Sequence, residues 1–172
     1  MKSRVLGRMF LLTLALQSAI VAAGQPSIQK PAPVLLTVSG EVSQPLKLTA
    51  DDLAKFPHRT VNARDHNSKD TTFEGVEVGE ILKLAGVKSG EALRGKELAL
   101  FLVAEAADGY RAVFALAELD HAFSDQVIIV ADRRDGKPLP EKEGPLRLVV
   151  PDEKREARWV RQVTSLTIRR AQ

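Results

Sequence analysis

The sequence predicts an α+β domain with a mostly antiparallel or mixed β-sheet core and short helices. Three observations carry that prediction: strand-like segments outnumber helical ones, the helical segments are only one or two turns long, and Asp108-Gly109 offers a tight hairpin between two of the strands.

In chain order, Leu35 to Val38 and Leu46 to Leu48 are expected as short strands around a Gly40 turn. Thr49 is suited to cap a short helix running through Asp51, Asp52 and Leu53 to Phe56, where Pro57 stops it. Thr60 to Ala63 and Thr71 to Val76 are expected to be extended. Val78 to Ala85 carries Ile81, Leu82 and Ala85 on one face and has Gly86 just past its end, which predicts a helix with a glycine stop. Leu98 to Ala104 is a nearly continuous apolar run fit for a buried strand, and Asp108-Gly109 turns it into Tyr110 to Leu116. Ala117 to His121 reads as a helical turn. Val127 to Ala131, Leu146 to Val150 and Trp159 to Ile168 supply three further strands.

The N-terminus has a different pattern. Met1 to Arg8 holds Lys2, Arg4 and Arg8 without an acid, and Met9 to Ala23 is apolar apart from Thr13, Gln17 and Ser18, ending in the small residues Val21-Ala22-Ala23. This is the pattern of a secretory signal peptide over residues 1–23. An anchor is the competing reading, but the run is shorter than the roughly 20 apolar residues that span a bilayer. Residues 24–34 are expected to be a flexible lead and 35–172 one domain, with the mature protein periplasmic or secreted and no membrane span after cleavage.

Charge follows from that reading. The chain has 25 Lys and Arg against 22 Asp and Glu; without residues 1–23 there are 22 of each, so nucleic-acid binding has no electrostatic motive. The absence of cysteine excludes disulfides, a thiolate nucleophile and a Cys-based metal site. No Gly-rich phosphate loop, G-x-S-x-G elbow or helical His pair is present. The Asp65-His66-Asn67 stretch with Asp70 lacks the glycine and terminal Glu of a calcium loop and reads as a polar turn.

Several blocks then occur in a particular order: Phe73-Glu74-Gly75-Val76, Ile81-Leu82, Ala85-Gly86-Val87, Asp108-Gly109-Tyr110, Asp135-Gly136-Lys137-Pro138-Leu139-Pro140, Gly144 to Pro151, and Arg158-Trp159-Val160. In this order they resemble the oxidoreductase molybdopterin-binding domain of the sulfite oxidase family, over Leu36 to Ile168. The resemblance implies an α+β sulfite oxidase-type fold that cradles an anionic pterin and holds molybdenum through a cysteine thiolate. It gives Arg147 and Arg158 the role of basic residues near the pterin, for which a planar guanidinium fork is chemically suited.

Three departures limit what the resemblance implies. The metal-binding cysteine belongs on the segment Thr60 to His66, which has no thiol. Glu143 stands where the family often has a histidine, and a carboxylate there would repel a pterin phosphate. Arg4 and Arg8 are not adjacent, so the twin-arginine route for cofactor-loaded proteins is not signalled.

The expectation is therefore an exported domain without bound molybdenum and with no cofactor, binding a small anionic or pterin-like ligand or a periplasmic protein partner. One alternative is an active oxidoreductase holding molybdopterin noncovalently; another is a structural or interaction protein with a filled pocket. The expected ligand-binding residues are Arg147, Arg158, Tyr110, His66, Arg161 and Asp108, converging on one concave site. His66 is the candidate to replace the lost ligand, Tyr110 offers a neutral hydrogen bond, and Arg147 either faces this site or pairs with Glu143 or Asp152 on an outward face. Trp159 is expected as a buried anchor and Arg155 as solvated.

Overall fold

A five-stranded sheet carries the first and last strands of the domain side by side. In the computed structural model, which describes residues 30–64 and 70–172, β1 (Leu36–Gly40) pairs in parallel with β10 (Val163–Arg170) and antiparallel with β2 (Leu46–Leu48). β10 pairs antiparallel with β5 (Leu100–Ala106), and β5 with β6 (Arg111–Ala115), giving the order β2-β1-β10-β5-β6. The signal-peptide segment and the Asp65-His66-Asn67 turn lie outside the described residues.

The second sheet runs β3 (His58–Arg64), β4 (Asp70–Glu77), β7 (Ile129–Arg134) and β8 (Lys137–Pro138), with β9 (Arg147–Val149) also paired to β7. Every pairing here is antiparallel. The expected mixed sheet is thus two sheets, one of them mixed. A single buried cluster that includes Phe73, Ile129 and Leu148 from the second sheet and Leu102, Phe114 and Ile168 from the first joins them into one core.

Local chemistry explains most boundaries. Thr49 caps α1 (Ala50–Leu53): the Asp52 amide donates to Thr49 Oγ1, the Thr49 amide donates back to Asp52 Oδ2, and Lys55 donates to Asp52 Oδ1 at 2.9 Å. The Lys55 hydrogen bond, followed by those from Thr49, lowers the Asp52 pKa to about 2. α2 (Val78–Leu84) ends at Ala85, with Gly86 in the left-handed region at φ +75°.

Three expectations are corrected. β7 runs on to Arg134 because Asp135 and Gly136, both at positive φ, turn it into β8, a hairpin that the Asp-Gly dipeptide permits. The expected strand from Trp159 begins only at Val163: Glu156–Arg158 is a 3-10 turn, and Gln162 at φ +50° breaks the run. The expected 117–121 turn lies at Leu116–Leu119.

Gly75 is required by a close approach. A Cβ there would lie 2.1 Å from the Val130 carbonyl oxygen, at the point where the β4–β7 register shifts between Glu74 and Gly75. Gly75→Ala is therefore expected to destabilise the domain by at least ~2 kcal/mol, read as a lowered midpoint in urea unfolding. For Asp52, whose folded pKa is depressed, the cap's charge-assisted contribution is fully present above the ordinary value of 3.8 and is lost as pH falls through about 2. A titration of the Asp52 carboxyl by NMR with a midpoint near 4 would contradict this.

Candidate functional site

Arg147 is the site's starting point because it is a charge inside the core. β9 is buried at each of its three residues, since β7 flanks it on one edge and a backbone bridge to Arg161 on the other. The Arg147 side chain therefore has no route to bulk water, and the residue is 1 % exposed. Its guanidinium lies 5.5 Å from the Phe73 ring centre and 5.1 Å from that of Trp159, and the two rings meet edge to face at 5.7 Å.

A buried cation needs an anion, and two are supplied. Arg147 Nη1 donates to Glu143 at 2.6 Å and Nη2 donates to Glu156 Oε2 at 2.8 Å. The second oxygen of Glu143 accepts from Arg134 at 3.1 Å, and Arg134 also sits over the Phe73 ring. Two arginines and two glutamates thus form a formally neutral cluster. Arg147 Nε and Glu156 Oε1 are buried within it without a hydrogen bond. Trp159 is held as its rear wall by an indole N–H donated to the Val150 carbonyl at 2.9 Å.

Arg158 belongs to a separate cluster. It stacks 4.5 Å from the Phe114 ring centre, donates to Glu153 at 2.7 Å and to Glu118 at 2.9 Å, and reaches the Val113 carbonyl on β6. Burial works against its charge, yet the bonds to Glu153 and Glu118 outweigh that and raise its pKa above the ordinary guanidinium value.

Two open clefts flank Glu156 and Trp159, which line both. The smaller, about 380 Å³, is also lined by Asp108, Tyr110, Ala157 and Arg161. Tyr110 donates its hydroxyl to the Ala157 carbonyl, and Asp108 accepts from the Tyr110 amide at 2.9 Å. The larger, about 910 Å³, lies between Asn62, Ala63, Arg64 and Asp70 on one side and Asp152 to Glu156 on the other. Glu153 and Glu156 are committed to Arg158 and Arg147, and Arg64 approaches Asp70 at 3.5 Å. Lys154 and Arg155 have no ion-pair partner among the described residues.

The expected site residues therefore divide. Tyr110, Asp108 and Arg161 meet on one cleft; Arg147 lies behind its wall, reached through Glu156; Arg158 is turned to Phe114 and Glu118. His66 lies outside the described residues. Arg147 does pair with Glu143, as one reading held, but inside the core rather than on an outward face. Glu143 is the ion partner of two arginines. Glu156, Asn62, Arg64 and Lys154 were not among the expected residues, and Arg155, expected to be solvated, is exposed on the larger cleft.

A family model described as the oxidoreductase molybdopterin binding domain matches residues 23–172. Among solved structures, the sulfane dehydrogenase SoxCD from Paracoccus pantotrophus is similar, with 25 % identity and a TM-score of 0.62 over 77 % of this chain. The match covers 37 % of the SoxCD chain. No curated protein matches. The family match overturns the expectation of a domain with no cofactor, since the matched model is that of a molybdopterin-binding domain.

Replacing Arg147 leaves Glu156 without its partner and Glu143 with Arg134 alone, so Arg147→Met is expected to cost about 3–5 kcal/mol. Adding Glu156→Gln should recover part of that loss, read in a double-mutant unfolding cycle.

Proposed function

The chain belongs to the oxidoreductase molybdopterin-binding domain family, and from that premise we propose that it holds a molybdopterin-type cofactor noncovalently, as an exported domain without a protein thiolate on the metal. The observation that carries this is the larger cleft. The segment on which the resemblance puts the metal-binding cysteine supplies Asn62, Ala63 and Arg64 to its wall, and Lys154 and Arg155 face them with unspent charge.

The residues fit the two parts of the cofactor differently. For the organic, anionic part the cleft is roomy enough, and Lys154, Arg155 and the half-committed Arg64 offer cationic donors for a phosphate. Asn62 adds a neutral amide, and Trp159 an aromatic wall. For the metal the fit fails: the chain has no cysteine, and among the described residues no three His, Asp or Glu side chains are grouped to hold an ion. The described residues thus offer donors to the pterin and no grouped ligands to its metal.

A second reading, a structural or interaction protein with a filled pocket, is favoured by the commitment of both Arg147 and Arg158 to internal carboxylates. The export reading rests on residues 1–23, and among the described residues no helix is long and apolar enough to cross a membrane.

Two measurements test the proposal. Protein purified from a molybdopterin-competent host should release a phosphorylated pterin on denaturation, detected by mass spectrometry, with molybdenum below pterin in molar amount. An absence of pterin would favour the filled-pocket reading, and equimolar tightly held molybdenum would contradict the missing-ligand part. N-terminal sequencing of the exported protein should begin near Gly24, and a start at Met1 would remove the signal-peptide reading.

A further inference from the structure

Arg147 and Glu156 are paired less completely than their chemistry allows. A guanidinium and a carboxylate form their strongest contact as a fork, with two parallel hydrogen bonds. Here only Nη2 and Oε2 meet, at 2.8 Å, while Arg147 Nε and Glu156 Oε1 are each buried without a hydrogen bond. A buried donor or acceptor left without a partner forfeits its lost hydration, so this half of the cluster is under-satisfied.

Position gives that deficit a consequence. Glu156 opens a three-residue 3-10 turn, has no structural partner other than Arg147 among the described residues, and lines both clefts. Glu156 therefore links the guanidinium to the lining of both clefts. Glu143 differs, since it is shared with Arg134 and lines neither.

We propose that Glu156 is a built-in surrogate anion, which occupies the Arg147 guanidinium until an oxyanion entering from the clefts displaces it. The proposal rests on the anion-binding reading above and adds a specificity-determining residue to it. Displacement moves Glu156 outward, lets the oxyanion take both Nη2 and Nε, and leaves Glu143 in place to balance Arg134. An incoming ligand must outcompete a tethered carboxylate, so weak or singly charged anions are rejected and those with several acceptor oxygens, such as a phosphate monoester, are selected.

The test uses inorganic phosphate as the probe and the fluorescence of Trp159, the single tryptophan, as the signal. Glu156→Gln should bind phosphate about tenfold or more tightly than the unaltered protein, the scale of one charge-assisted hydrogen bond. Glu153→Gln is the control: it removes an equal charge from the same cleft, from a carboxylate committed to Arg158. Equal tightening by both variants would show general electrostatics and overturn the proposal, as would no change in Glu156→Gln. Should that variant not fold, the Arg147 Nε–H resonance of the unaltered protein decides: it should shift downfield with phosphate, and a fixed resonance while phosphate binds elsewhere rejects displacement. Pterin recovered from the purified protein alongside a phosphate-blind Arg147 would leave the family ligand in place and refute only the role of Glu156. If neither pterin nor phosphate binds, both readings fail.

Discussion

One guanidinium without access to water sets the terms for the rest of this domain. Arg147 is placed inside by β9, which is flanked on both edges, and a cation there survives only if the chain brings anions and polarisable faces to it. Glu143 arrives from the turn before β9, Glu156 from the 3-10 turn after it, Phe73 from β4 and Trp159 from the segment leading to β10. Residues between 143 and 159 are thereby held at one point against Phe73, which lies on a strand much earlier in the chain. The irregular chain from Leu139 to Gln162 has little strand structure of its own, and its path follows from these contacts together with the Trp159 bond to Val150.

The same cluster shapes the surface. Glu156 and Trp159 line both clefts, so the buried charge cluster contributes to the wall of each. Arg158, one position before Trp159, performs a parallel service on the other side: it covers the outer edge of β6 through the Val113 carbonyl and stacks on Phe114. An exposed strand edge invites pairing with other chains, and a side chain laid across it is one protection.

Sequence patterns revealed the elements whose causes are local. The Thr49 cap, the Gly86 stop and the Asp108-Gly109 hairpin each depend on a few adjacent residues, and each stands where the pattern put it. The division into two sheets depends on long-range pairing of β1 with β10, which no local pattern encodes. For the site, Arg147 was conspicuous as a charge in an apolar run, and Tyr110, Asp108 and Arg161 do share a cleft. What could not be read was which carboxylate neutralises which arginine, because Glu156 reaches Arg147 across an irregular turn and Glu118 reaches Arg158 across 40 positions. The strand expected from Trp159 failed for the related reason that Trp159 and Gln162 answer to tertiary contacts.

The two arginine clusters look alike in composition but differ in how far each is satisfied. Arg158 directs both Nε and Nη2 to one oxygen of Glu153 and Nη1 to Glu118, so every nitrogen of its fork has an acceptor. That arrangement gains nothing from a visiting anion, which would have to replace bonds already made. Arg147 keeps one nitrogen unspent and holds Glu156 by a single bond, beside a partner in Glu143 that is bound twice over. A family that binds an anionic cofactor needs a cation that is stable when the cofactor is absent and available when it arrives. A fully satisfied fork meets the first need alone; a buried cation with one firm and one loosely held carboxylate meets both, and of the two arginines only Arg147 has that form.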